Sequence, residues 1–119
     1  MLRSIRGAIS VSQNDAQEIK KAVSALVEPL LSRNQINTPD IVAVFFTMTP
    51  DLTAANPATA LRQIYADWQH VSLLCSQEPV VEGMLPQCIR ILIQWHAEDA
   101  SQPLVPIYLD AAKQLRPDL

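Results

Sequence analysis

Glycine is nearly absent from this 119-residue chain, with Gly7 and Gly83 the only two. A loop that cradles phosphate needs several glycines close together so that its backbone can approach the ligand, and these two stand in different parts of the chain, so nucleotide binding of that kind is excluded. Cysteine is equally scarce. Cys75 and Cys88 have neither CxxC spacing nor a histidine cluster beside them, which argues against zinc and for two free, mostly buried thiols. His70 and His96, the only histidines, lie at the ends of strand-like runs, where solvated histidine is ordinary, and fit no metal or triad spacing. No nucleophile and base are paired. Catalysis in such a chain has to work by positioning and charge stabilisation rather than through a covalent step.

Long apolar runs are missing too, and the N-terminus MLRSIRGAIS lacks the apolar block of a signal peptide, so a soluble, cytoplasmic protein without a membrane partner is expected. Acidic residues outnumber basic ones, 12 to 9, for a net charge of -3. No segment gathers the cations into a stripe, which argues against nucleic acid as a partner.

What is present is 49% hydrophobic residues, enough for one domain spanning 1–119 with a single core that buries about two-thirds of the unfolded chain's surface. Ser4 to Val11 alternates as a strand. Asn14, with Gln17 three residues on, reads as the cap of a helix carrying Ile19, Val23, Leu26 and Leu30, and Pro29 predicts that this helix ends early, near Glu28. Ile41 to Met48 is apolar on both alternating sides, the pattern of the sheet's middle strand. Asn56-Pro57 starts a short second helix. Val71 to Gln77, Cys88 to Trp95 and Leu104 to Leu109 are further strands, the last with Pro106 and therefore at an edge, and Asp110 to Leu115 is one helical turn. The order predicts a mixed sheet, α/β or α+β.

One residue in this pattern is out of place. In Cys88-Ile89-Arg90-Ile91-Leu92-Ile93-Gln94-Trp95 the isoleucines and Trp95 share one face, and Arg90 sits in the middle of the other. A guanidinium buried there without a partner would cost several kcal/mol, so something anionic should meet it. Arg6 interrupts the first strand in the same way. A single strand arginine is most simply an edge residue with its head in water; two point to a shared cleft for a small dianion. Six of the nine basic residues are arginine, the side chain suited to gripping carboxylates bidentately. Glu78 serves either as a counter-ion in a structural cluster or as an acceptor for a substrate hydroxyl.

Ile5-Arg6-Gly7-Ala8, Thr49-Pro50-Asp51-Leu52, Cys75-x-Gln77-Glu78, Cys88-Ile89-Arg90, Tyr108-Leu109 and Leu115-Arg116-Pro117-Asp118-Leu119 resemble, in register along essentially the whole chain, the AroH-class monofunctional chorismate mutases. No one of these segments is specific; their order and spacing are. The resemblance implies an α+β fold with two helices packed on one face of a mixed sheet, assembled as a barrel-like homotrimer with active sites at subunit interfaces. It also implies rearrangement of chorismate to prephenate on the route to phenylalanine and tyrosine, with no cofactor. Arg90 then meets the ether oxygen and a carboxylate, and Arg6 with Tyr108 grips the side-chain carboxylate. Glu78 binds the ring hydroxyl with the Cys75 backbone, Arg62 reaches in from a neighbouring subunit or lies at the mouth, and Leu115 and Arg116 cover the site. Three site positions depart from the family pattern: Asn56 replaces a wall aromatic, Leu74 a hydroxyl residue, and Thr59 a lysine near the entrance. The rival readings are a trimeric imine-hydrolysing or ligand-binding protein of the RidA type, and an interaction module whose arginines only form intersubunit salt bridges.

Overall fold

The computed structural model describes residues 1–119, and its elements follow the hydrophobic periodicity closely. β1 (Leu2–Ser10) places Ile5 and Ile9 inward. Helix α1 (Ala16–Arg33) turns Ile19, Val23, Leu26, Val27 and Leu30 onto the same core. Its cap is Asp15, not Asn14: the Asp15 carboxylate accepts from the backbone N–H groups of Gln17 and Glu18, both at 3.1 Å. A charge at this end also gains from the helix dipole. Asn14 instead ties the chain across to the loop after the second strand, accepting from the N–H groups of Thr53 and Ala54 at 2.9 Å.

Pro29 does not end the helix. Its missing N–H orphans the carbonyl of Ala25, an exposed residue that faces solvent. Beyond the proline, Leu30 is completely buried and Leu31 packs partly buried against the same core. Burying such side chains contributes about 1.5–3 kcal/mol each, enough together to offset the roughly 3 kcal/mol that an interior proline costs.

After a 3-10 turn at Thr38–Asp40 come β2 (Ile41–Met48), α2 (Pro57–Ile64) and β3 (Leu73–Gln77), then β4 (Cys88–His96) and β5 (Ile107–Leu109). The five strands lie in the order β3-β2-β4-β1-β5. β4 is antiparallel to both neighbours, whereas β3 runs parallel to β2 and β5 parallel to β1. β4 is thus the central strand, and β2 stands one place out. Its two apolar sides differ: Val44 and Phe46 are buried, while Phe45 on the other side remains 39% exposed; Val42, at an irregularity in the pairing between Ile41 and Ala43, is 41% exposed. Both helices pack on the Val44–Phe46 side. The opposite face is covered only at the β1–β5 end, where Ala112 of the terminal 3-10 helix Asp110–Leu115 joins Ala8 and Cys88 in a small second cluster. β5 is short because Pro103 and Pro106 bracket the segment before it, and it is an edge strand as expected.

Gly7 explains how tightly these layers meet. A Cβ there would stand 2.8 Å from the Ile107 carbonyl oxygen and 3.1 Å from methyls of Leu26 and Leu30. Gly7→Ala is therefore expected to destabilise the fold by about 1–3 kcal/mol, the usual cost of overpacking. Urea unfolding measures this directly, and an unchanged midpoint would show that β5 and α1 yield freely.

Candidate active site

The strand register brings scattered residues into two rows on the open face. Ser76, Thr47, Arg90, Ala8 and Tyr108 form one, from β3 across to β5, and Leu74, Phe45, Leu92 and Arg6 form the next. Arg90 and Arg6 do share a face, as the alternation predicts, and Tyr108 is separated from Arg90 only by Ala8, a side chain too small to divide them. Beneath these rows Ile89, Ile91 and Ile93 fill the core, so the open face stands on a rigid support.

Arg90 meets an anion. Its Nε lies 3.3 Å from Oε1 of Glu78, with the arginine side chain 51% and the glutamate 18% exposed. Glu78 is fixed from two directions. Its N–H donates to the Met48 carbonyl at 2.9 Å, extending the β2–β3 pairing one residue further, and its Oε1 accepts from the Thr47 hydroxyl at 2.5 Å. An ion pair this open contributes no more than about 1 kcal/mol to stability, which is a weak reason to place it in the middle of a sheet face. Beside it lies a cleft of about 370 Å³ bounded by Thr49, Glu78, Cys88, Arg90, Leu115 and the loop Val81 to Leu85, a volume within the range of small-molecule sites. A larger depression of about 680 Å³ between α1 and α2, at Glu28, Leu31 and Tyr65, holds none of the residues singled out by the sequence.

The start of β4, two residues before Arg90, is held by a polar latch. Thr49, a buried polar side chain, accepts from the Cys88 N–H at 3.0 Å and donates to Asp51. The Asp51 carboxylate accepts from the Gln87 N–H at 2.9 and 3.1 Å. Gln87 is left-handed, with φ 47, a conformation that a non-glycine residue holds only when its surroundings enforce it.

The remaining sequence-selected residues divide. Leu115 borders the cleft. Arg116 forms a two-point pair with Asp118, at 2.8 and 3.1 Å. Its hydrogen bonds hold the Asp118 carboxyl below the usual range. Leu74 is on the open face and exposed. Cys75 points its side chain the other way, against the core, so only its backbone is offered to that face. Asn56, Thr59 and Arg62 lie on α2, across the sheet from Arg90, where Asn56 caps the helix by accepting from the Ala58 N–H at 2.8 Å. One chain does not bring these three to the cleft. Thr47 was not singled out by the sequence, because only the strand pairing reveals it as a neighbour of Arg90.

Burial pushes the Cys88 thiol up, although the adjacent Arg90 guanidinium pulls against it, and burial raises Cys75 as well. Both should stay protonated at neutral pH, and the thiolate is the reactive form. Iodoacetamide at pH 7 is expected to leave the folded protein essentially unalkylated, with labelling appearing as pH rises above the usual thiol range or on unfolding. Mass spectrometry would show it, and rapid stoichiometric labelling of Cys88 would contradict the burial.

Fold and cleft together define an α+β domain that presents a guanidinium and a carboxylate side by side at the edge of a cleft of small-molecule size. The chain belongs to the chorismate mutase type I family, whose model matches residues 2–119. It is 41% identical over 120 residues to the chorismate mutase AroH of Thermus thermophilus, covering all of this chain and 97% of that one. It is 35% identical over 119 residues to AroH of Bacillus subtilis, covering all of this chain and 93% of that one. A solved chorismate mutase from Clostridium thermocellum superposes with a TM-score of 0.87 at 35% identity, covering 94% of this chain and 98% of that chain.

Proposed function

We propose that the protein is a chorismate mutase that converts chorismate to prephenate within a single bound molecule. The observation that carries this is the Arg90–Glu78 pair beside a cleft of ligand size, on the face shared with Arg6 and Tyr108, in a chain of this family. The reaction breaks a C–O bond and forms a C–C bond without exchanging atoms with the protein. Two things help it: holding the reactive conformer, and a fixed cation at the oxygen that gains charge. Even about 10⁶-fold acceleration asks for roughly 8 kcal/mol. A preorganised arginine supplies several of these, since removing one such donor costs about 2.7–4 kcal/mol.

In this reading Arg90 faces the ether oxygen and a carboxylate, Glu78 accepts from the ring hydroxyl, and Arg6 with Tyr108 holds the second carboxylate. Leu115 and Arg116 close over the ligand. Asn56, Thr59 and Arg62, which lie across the sheet, take part only if another copy brings its α2 to the cleft. A homotrimer with sites at its interfaces meets that need, and it covers the neighbouring apolar side chains of Phe45 and Leu74 that a single chain leaves open. Leu74 and Cys75, on β3, border that boundary.

Family membership favours this activity over imine hydrolysis of the RidA type. No helix is long and apolar enough to cross a membrane, which is consistent with a cytoplasmic location. Loss of chorismate absorbance on mixing with purified protein, with prephenate as the product, is the test, and sedimentation equilibrium reports the trimer. Wild-type protein that leaves chorismate unchanged, or that sediments as a monomer at assay concentrations, would overturn the corresponding half of the proposal.

A further inference from the structure

We infer that Thr47 is a positioning residue for the reaction: its hydroxyl sets the Glu78 carboxylate, and through it the orientation of the Arg90 guanidinium. The inference rests on the functional reading above and concerns a residue to which that reading gives no role. Three observations on one row of the sheet carry it.

First, Thr47 is the direct cross-strand partner of Arg90 on β4 and of Ser76 on β3, so its side chain stands on the open face between the arginine and the strand that leads into Glu78. Second, the Thr47 hydroxyl and the Arg90 Nε converge on the same oxygen, Oε1 of Glu78, at 2.5 and 3.3 Å. Oε2 has no hydrogen bond or ion pair within the chain. Third, the Arg90–Glu78 contact is an ion pair but not an aligned hydrogen bond. The guanidinium alone therefore does not determine where the carboxylate sits. The donor that does is the threonine.

The chemical consequence follows from how many donors each group has. A guanidinium carries five N–H groups in a rigid plane. With Nε turned to Glu78, N–H groups on the terminal nitrogens remain for a ligand. A carboxylate with one oxygen occupied by Thr47 and Arg90 keeps its second oxygen for a hydroxyl. Remove the Thr47 hydroxyl and Oε1 has only a poorly aligned partner: the carboxylate can swing, and the guanidinium loses the fixed point that holds it. Binding and turnover should both suffer, because Glu78 acts on the bound molecule and Arg90 on the charge that develops in it.

Thr47→Val keeps the shape and the β-branch and removes only the hydroxyl; Thr47→Ser restores the hydroxyl. Turnover of chorismate by these variants is compared alone and combined with Glu78→Gln, with thermal melts alongside. Expected are a fall in kcat/KM on the order of 10- to 100-fold for Thr47→Val, shared between a lower kcat and a higher KM, recovery of most of it in Thr47→Ser, and little change in melting temperature. In the Glu78→Gln background Thr47→Val should add almost nothing, since its effect passes through the carboxylate. Wild-type kinetics in Thr47→Val, equal impairment in Thr47→Ser, or the same fold-loss with and without Glu78→Gln would each overturn the inference. Should Thr47→Val prove unstable, Thr47→Ala carries the same comparison. A crystal structure of the variant is independent of turnover: the Arg90–Glu78 separation should grow beyond ion-pair distance. An unchanged pair would refute the positioning role even in a protein inert toward chorismate, an inertness that in wild type would instead count against the mutase reading.

Discussion

Replacing Arg90 with alanine should lower kcat/KM for chorismate by at least 10²-fold, about 2.7 kcal/mol or more, while leaving the protein folded. The size follows from what the side chain is asked to do. The oxygen of the breaking bond gains negative charge only on the way to the transition state, and a guanidinium already fixed at that point requires no reorganisation when the charge appears. The fold should survive because the Arg90 side chain is half exposed and its ion pair is open to solvent, so its loss removes little stabilising energy. Thermal melts that coincide, together with progress curves that do not, are the expected result. A variant that loses activity only because it unfolds would remove the basis for assigning Arg90 a role in the chemistry.

Phe46→Ala should do the reverse, costing about 3–5 kcal/mol of stability, a large share of the 5–15 kcal/mol that holds a typical domain together. Phe46 is 1% exposed, pairs with Ile91 across the sheet, and lies next to Thr47 in the chain. Its ring fills the core under the row that carries Arg90, and truncation leaves a cavity that the neighbouring strands can close only in part. The denaturation midpoint should fall sharply. A midpoint near that of wild type would mean that α1 and α2 collapse onto the sheet without strain, contrary to the completely buried Leu26, Leu30 and Leu61 that already fill the space.

How much of this was legible in the residues depends on the kind of information each feature needs. The alternation around Arg90 alone places it opposite the isoleucine row and calls for an anion, and Glu78 meets it. Alternation likewise gives Arg6 the same face once β1 and β4 are known to pair. It does not distinguish a strand in the middle of a sheet from one whose second apolar side is left open, so Ile41–Met48 reads as the middle strand although β4 holds that position. Proline is read from local geometry, yet α1 continues past Pro29 because tertiary burial on its inner side offsets a local cost. Asn14 and Asp15 are both good caps. Which of them caps α1 was decided by a loop far along the chain, where Thr53 and Ala54 need the Asn14 side chain. Thr47 is the clearest case of what pattern leaves out, since its meaning lies in a hydrogen bond to a residue on another strand.

The placement of Asn56, Thr59 and Arg62 follows the same logic at the next level. Sequence similarity groups them with Arg90; one chain sets them across the sheet from it. The two facts agree if the site is shared between copies. The open patch at Phe45 and Leu74, on the row next to Arg90, is the surface such a contact would use.

In the proposed reaction Arg90 acts on charge that develops as the bond breaks, not merely on the charge of the bound ligand. The direct measurement is kcat at saturating chorismate for wild type and Arg90→Lys. Lysine keeps the positive charge but lacks the rigid fork and the Nε contact that fixes it. If Arg90 stabilises the developing charge, kcat falls by about two orders of magnitude or more. A kcat equal to that of wild type with only KM raised would contradict it, reducing Arg90 to an anchor for a carboxylate.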